Sequence, residues 1–192
     1  MLTENAARWM LVLHTVLGMA AVGAATHLVI WLRRYVRGAY GRRRAVQRFA
    51  LYALVLHVAA FLAGNILYPT YRVEVRTAYL ENAGAIVADR TARADQFDKI
   101  AARENAPALE PTSPAKIVRD AGRAARWFDV KEHWVALGMF ASLALVLVLR
   151  FWEPSRDGDA LASVVVGLAV VIAGTVWLGA IVGVLTSAWR AV

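Results

Sequence analysis

The four histidines of this sequence, His14, His27, His57 and His133, are the residues whose type and placement could do chemistry. Each lies in or at the edge of a long run without charged residues, and none lies in a loop or a tail. An ionisable side chain is costly inside a bilayer, so one found there is a functional candidate by default. Imidazole can ligate haem iron, exchange protons or hydrogen-bond across helices.

The spacing of the histidines predicts two levels in the membrane. His14 and His27 are 13 residues apart, which is about 20 Å along a helix. If the chain reverses at every span, His14 is level with His133 near the outer surface, and His27 is level with His57 near the inner one. Two stacked haems, each held by histidines from two helices, need about this arrangement. The sequence therefore predicts one or two bis-histidine b-type haems with these four axial ligands.

The rotation of the first helix leaves an alternative open. An offset of 13 residues turns the side chain by about 220°, so the two sites would face different neighbours, or only one histidine of this helix would be a ligand. His14 and His57 are the deepest of the four and the strongest candidates. Gly18 and Gly23 lie four residues from His14 and His27 on the same helix faces, where they would leave room for a flat macrocycle. They could equally permit close helix packing.

His133 also has an ordinary interpretation, because it belongs to an interfacial group with Lys131, Glu132 and Trp134. In a functional version, Glu132 and His133 accept protons from a quinol at the outer surface.

The elements that position these residues are membrane spans. Hydrophobic residues make up 59% of the chain and charged residues only 19%, against about 25% charged in soluble domains. The sequence predicts an all-α integral membrane protein, a bundle of four transmembrane helices with an extramembrane helical segment between spans 2 and 3. The predicted layout is a tail over 1–8, spans over 9–32, 49–71, 132–152 and 160–189, a basic cytoplasmic loop over 33–48, a helical or interfacial segment over 72–131 and a cytoplasmic loop over 153–159.

Arginine predicts the orientation. The 33–48 loop holds seven arginines and no acid, which accounts for most of the formal net charge of +8. Such a loop stays cytoplasmic, so we expect both termini and the 72–131 segment on the other side of the inner (plasma) membrane. Topology explains the basic cluster, so no nucleic-acid partner is expected. The first apolar run is too long for a signal-peptide core and is expected to be retained.

The 72–131 segment is expected to be helical. Pro69 should close the second span, because the residue before a proline is pushed out of the helical region. The stretch after it has few large apolar residues and should lie on the membrane face or on a partner, without a core of its own. Ser113 and Pro114 fit the start of an interfacial helix that leads into the third span. A solvated connector is the alternative.

Several functional classes are disfavoured or excluded. The chain has no cysteine, which excludes disulfides, thiol nucleophiles, iron–sulfur ligation and covalent c-type haem. No paired carboxylates lie in the spans, which disfavours a carboxylate-based ion pump. In the fourth span, Gly179 and Gly183 form a GxxxG pair that favours close helix contact, within the bundle or with another subunit.

The pattern of histidines in four spans resembles the four-helix b-type cytochromes and the membrane anchors of respiratory enzymes. We therefore expect a membrane-embedded cytochrome subunit for transmembrane or quinol-linked electron transfer, with other membrane or redox subunits and a quinone as possible partners. It would act in an enzyme only as the electron-transfer subunit of an oxidoreductase complex. The alternatives are a cofactor-free accessory subunit of a larger membrane complex and a small transporter or proton-conducting protein.

Overall fold

The computed structural model describes residues 2–105, 107 and 113–191. These residues form helices and no strand, which confirms the all-α prediction. In chain order the elements are α1 (Glu4–Val36), a 3-10 turn (Tyr40–Arg42), α2 (Arg43–Thr70), a π-helical stretch (Tyr71–Leu80), α3 (Ala83–Glu104), α4 (Pro114–Phe151), α5 (Pro154–Asp157) and α6 (Ala162–Ala191).

Four of these helices are long and apolar enough to cross a membrane: α1, α2 with its π-helical continuation, α4 and α6. They form a bundle in which α1 contacts α2, α2 contacts α4, α4 contacts α6, and α6 returns to α1. Large apolar side chains such as Trp9, Phe140 and Val184 remain exposed on its surface. Such a surface suits lipid rather than water, so the four-helix membrane bundle is confirmed as the fold.

The bundle has two ends, which we name by their contents. The arginine end carries the turn over 37–42 and the connection over 152–161, and the terminal end carries the start of α1, the end of α6 and residues 71–105. At the arginine end, Gly38 adopts a φ of 115°, a left-handed conformation that suits glycine. The guanidinium of Arg42 lies 4.7 Å from the centre of the Trp31 ring, a cation–π contact.

The main apolar core fills the half of the bundle next to the arginine end. Its members are mostly small and branched apolar side chains from all four spans, together with Tyr35 and Trp152. Leu32, Leu145 and Val165 are fully buried. An ion pair of 3.0 Å between Arg43 and Glu153 joins α2 to the connection after α4. This half of the bundle is therefore closed by packing and by pairing between helices.

The structure corrects the prediction that Pro69 ends the second span. Helix α2 runs through Pro69 to Thr70 and continues as the π-helical stretch to Leu80. Proline removes one backbone donor and crowds the carbonyl four residues before it, and wider π-helical winding accommodates such a disruption. At the junction, the Tyr71 N–H still bonds the Leu67 and Tyr68 carbonyls, four and three residues before it.

The segment after the second span has a small core, which the sequence analysis wrongly excluded. Leu80 and Ile86 are buried against Ala121 and Ala125, so α3 packs on the start of α4. The alanines permit this close approach because they have almost no side chain. As predicted, Ser113 occupies the N-cap of α4, although its side chain makes no capping hydrogen bond. The interfacial helix and the third span form one continuous helix to Phe151.

Candidate functional site

His57 is the most buried of the four histidines. It lies at the middle of α2, one turn after Ala53, which belongs to the apolar core. Only 2% of its surface is exposed. Neither Nδ1 nor Nε2 has a hydrogen-bond partner in the part of the chain that the structure describes. The backbone carbonyl of Val135 lies close to the ring but outside hydrogen-bond geometry. The structure thus places a buried imidazole without a hydrogen-bond partner among the described residues near the centre of the bundle.

The ring of His57 meets α4 and α6 at Gly138. A Cβ added to Gly138 would fall on Thr175 Oγ1 and 2.7 Å from His57 Cε1. Because Gly138 has no side chain, the side chains of His57 and Thr175 both pack against α4 at this position. The hydroxyl of Thr175 donates to the Ile172 carbonyl, and that of Ser142 donates to the Gly138 carbonyl. Both hydroxyls are buried, and that of Thr175 lies beside the imidazole at Gly138.

His14 lies on α1, toward the terminal end from His57. Its Nδ1 donates to the Ala60 carbonyl on α2 at 2.9 Å. The ring lies over Gly64, where an added Cβ would be 3.1 Å from Cε1. His14 is half-buried, and Lys131 acts on it electrostatically from α4. A hydrogen bond between two spans fixes this ring, and Nε2 remains free of any hydrogen bond to a described residue.

His27 and His133 differ from the other two in exposure. Each Nδ1 donates to the carbonyl four residues earlier on its own helix, Gly23 for His27 at 2.9 Å and Asp129 for His133 at 2.8 Å. Both side chains are exposed on the bundle surface. Neither ring is held by a second span, so any ligand that they share would have to lie outside the bundle interior.

The structure shows no hydrogen bond between any two histidines in the described part of the chain, and there no group of three or more His, Asp or Glu could hold a metal ion. A b-type haem needs only one or two imidazoles, so this observation does not test the haem prediction. Two shallow depressions on the surface are lined by no histidine. One of about 500 Å³ lies beside Phe151 and Trp152, and one of about 190 Å³ lies beside Trp127 and Val130.

The remaining candidates from the sequence lie as follows. An added Cβ at Gly18 or Gly23 would meet nothing within 4 Å, so neither glycine faces another side chain. Gly179 on α6 faces Val135 on α4, where an added Cβ would lie 3.2 Å from Cγ2 of Val135. Gly183 faces Lys131 on the same helix, α4. The GxxxG pair therefore packs within the bundle. Glu132 is half-buried on α4.

A polar and aromatic layer covers the terminal end beside these residues. Tyr71 stacks on Phe128 with ring centres 3.9 Å apart. Arg76 bridges Glu81, at 2.7 Å, and Asp129, and so ties the π-helical stretch to α4. Farther out on α3, a hydrogen bond from the Tyr79 hydroxyl and the neighbouring Arg93 hold the pKa of Asp89 below its ordinary value.

Sequence reasoning missed the residues that lie against His57 and His14. These are Gly138 and Thr175 beside His57, and Gly64 beside His14. Each is a small or hydroxyl-bearing residue in an apolar span, which is a common feature of membrane helices. Their importance depends on which helix faces which, and this is a tertiary property. Searches against protein-family models, curated proteins and solved structures find no match to this chain.

Proposed function

We propose that this chain is a membrane-embedded b-type cytochrome subunit that binds haem through His57 and passes electrons within the membrane. The observation that carries the proposal is the burial of His57 with both ring nitrogens unbonded. An unsatisfied buried donor or acceptor costs about 1–3 kcal/mol, and such a group in a native structure calls for an explanation. Coordination to haem iron would satisfy one nitrogen.

The residues around His57 suit a haem ligand in two respects. The carbonyl of Val135 is near enough to accept the N–H of the second nitrogen after a small movement, and ligating histidines usually donate to such a group. Gly138 leaves the space that the imidazole ring itself occupies, because a side chain at this position would press on the ring. Bound haem would supply reversible one-electron chemistry at its iron. The chain would hold the ligand, exclude water and set the potential through the low polarity of the bundle.

We propose one haem per chain rather than two. His14 is the best candidate for a second ligand, because its Nδ1 is committed to the Ala60 carbonyl while Nε2 is free. His27 and His133 receive less support, since both are exposed and held only by their own helices. In the proposed orientation, the arginine end lies on the cytoplasmic side of a bacterial-type inner membrane. The chain would associate there with other membrane or redox subunits.

An optical spectrum tests this proposal. The detergent-purified chain, expressed with haem in excess, is expected to show a b-type α-band after dithionite reduction. A pyridine haemochrome assay should give about one haem per chain. A colourless, monodisperse protein would reject the cytochrome, and a ratio near two would reject the single site.

Proton transfer through the bundle is a second candidate, favoured by the hydroxyls of Thr175 and Ser142 near His57. An imidazole among hydroxyls can accept and release protons without a metal. This function predicts a colourless chain that carries protons in liposomes loaded with a pH-sensitive dye. The flux should fall when His57 is replaced by alanine and persist when His27 is replaced.

A further inference from the structure

The arginine end of the bundle carries more positive charge than its own carboxylates neutralise. Of the seven arginines over 33–48, Arg43 forms an ion pair, with Glu153 at 3.0 Å. The other six are exposed, and no carboxylate in the described part of the chain lies within ion-pair distance of them. They are Arg33, Arg34, Arg37, Arg42, Arg44 and Arg48. Their combined charge makes a strongly positive surface, which favours an anionic partner.

An aromatic cluster between α1 and α2 holds Arg42 in place. The guanidinium lies 4.7 Å from the centre of the Trp31 ring. Trp31 stacks on Phe49 of α2 with ring centres 5.9 Å apart, and Tyr52 meets Phe49 in an edge contact at 6.2 Å. Stacking uses the flat side of a guanidinium and leaves the N–H groups at its edge able to donate. The cluster thus positions a cationic donor that suits a phosphate group.

An exposed apolar face continues from the arginines along α2 toward the middle of the bundle. Arg48, Tyr52 and Val55 are spaced by four and three residues, so they lie along one face of the helix. Tyr52 and Val55 are each more than half exposed. From the end of the helix inward, the order is a charge, an aromatic ring and an aliphatic side chain. This order matches the headgroup, the interfacial region and the acyl chains of a phospholipid.

The depression of about 500 Å³ at the same end offers no such charge. It is lined by Phe151, Trp152 and Arg156, and Asp157 pairs with this arginine at 2.8 Å. The positive charge there is neutralised within the chain, whereas the charge beside Trp31 is not. An anion is therefore drawn to the α1–α2 side of the arginine end.

We infer that the α1–α2 side of the arginine end, formed by Trp31, Arg42, Arg48 and Tyr52, binds the headgroup of an anionic phospholipid. Arg42 and Arg48 donate to the phosphate, and the aromatic rings and Val55 contact the lipid below it. The occupant is a lipid rather than a soluble anion, because the charged surface is continuous with an apolar face. In the proposed orientation this end meets the cytoplasmic leaflet, where anionic lipids give a negative surface. The inference does not depend on haem.

The binding test uses native mass spectrometry of the delipidated full chain in detergent. The chain is titrated with phosphatidylglycerol, or with zwitterionic phosphatidylcholine of the same acyl chains. The wild type should bind phosphatidylglycerol at least about fivefold more tightly, and Arg42→Gln should lose about fivefold, the contribution of one arginine near an anionic membrane surface. Arg156→Gln is the matched control. It removes the same charge from an exposed arginine that Asp157 already neutralises, and should change affinity by less than about twofold.

A further variant separates a built site from a diffuse positive surface. Trp31→Leu leaves the charge unchanged but removes the ring that holds Arg42, and should weaken binding by about two- to fivefold, as expected for an exposed cation–π contact. Equal wild-type affinity for the two lipids, equal losses in Arg42→Gln and Arg156→Gln, or unchanged binding in Trp31→Leu would overturn the inference. Arg42 and Arg156 are both exposed, so their variants decide the outcome even if Trp31→Leu fails to fold.

Discussion

The two halves of the bundle are built differently. Next to the arginine end, all four spans contribute apolar side chains to one continuous core, and Leu32 and Leu145 have no exposed surface. From His57 toward the terminal end, the helices carry imidazoles, hydroxyls and an ammonium between them. These groups lie against glycines of the facing helices, Gly138, Gly64 and Gly183. The first half can hold the bundle together by close packing, and the second provides polar groups that packing alone does not require.

This difference predicts a division of labour. Substitutions in the apolar half should lower stability and leave ligand binding intact in the molecules that remain folded. Truncation of the His57 side chain in the polar half should remove binding at little cost in stability, because its buried ring nitrogens make no hydrogen bond to a described residue. Comparing stability and haem content in the same variants separates the two effects.

The largest effect is expected at Gly138. In Gly138→Ala, the new Cβ would overlap Thr175 and press on His57, so one of them must move and haem binding should be abolished. Gly167→Ala on α6 is the control, since an added Cβ there meets nothing within 4 Å. The haemochrome ratio of the two purified variants checks this prediction. Normal haem in Gly138→Ala would contradict the prediction that this change displaces His57.

The next largest effect is expected in the apolar half. Leu145→Ala removes a fully buried side chain and should lower the free energy of unfolding by about 2–5 kcal/mol. The control Leu143→Ala, at an exposed position, should cost much less. Unfolding in mixed micelles gives the two free energies, and the haem ratio of the folded fraction should be normal in both. Loss of haem at Leu145 without loss of stability would contradict the division of labour.

A smaller effect is expected for the ion pair at the arginine end. Glu153→Gln leaves Arg43 without its charged partner and should cost no more than about 1 kcal/mol, because both side chains are partly exposed. Salt screens such pairs, so the difference from the wild type should shrink in high salt. Thermal unfolding at two salt concentrations measures it. A difference that grows with salt would reject this electrostatic account.

The smallest effect concerns pH and the segment at the terminal end. The pKa of Asp89 is lowered by the Tyr79 hydroxyl and by Arg93, so its contribution is present above the unfolded pKa and is lost as pH falls through the folded one. Hydrogen exchange in α3 should therefore speed up below about pH 4, relative to its intrinsic rate. Asp89→Asn should remove that pH dependence. Unchanged acid sensitivity in the variant would assign it to other groups.

The sequence predicted the features that depend on composition and on charge along the chain. Four apolar runs and the alternating topology could be read directly, because each span must satisfy its own backbone in lipid. The start of α4 at Ser113 and Pro114 followed from local capping chemistry. The continuation through Pro69 did not, since it depends on π-helical winding that residue preferences alone do not indicate.

The candidate site was predicted only in part. Histidine in an apolar run drew attention to His14 and His57, but the same signal selected His27 and His133, which the structure leaves on the surface. Sequence spacing gives depth along a helix and not the direction in which the helix faces. The roles of Gly64 and Gly138 depend on contacts between helices distant in the chain, and no single-sequence pattern encodes them.

A reduced-minus-oxidised spectrum of two matched variants tests the central claim most directly. His57→Ala removes the interior histidine at the border of the two halves, and His27→Ala removes one exposed on the surface. With the cytochrome proposal correct, the b-type α-band should disappear in the first variant and remain at wild-type intensity in the second. An α-band that survives in His57→Ala, or that is lost in His27→Ala, would contradict the assignment of the site to the bundle interior.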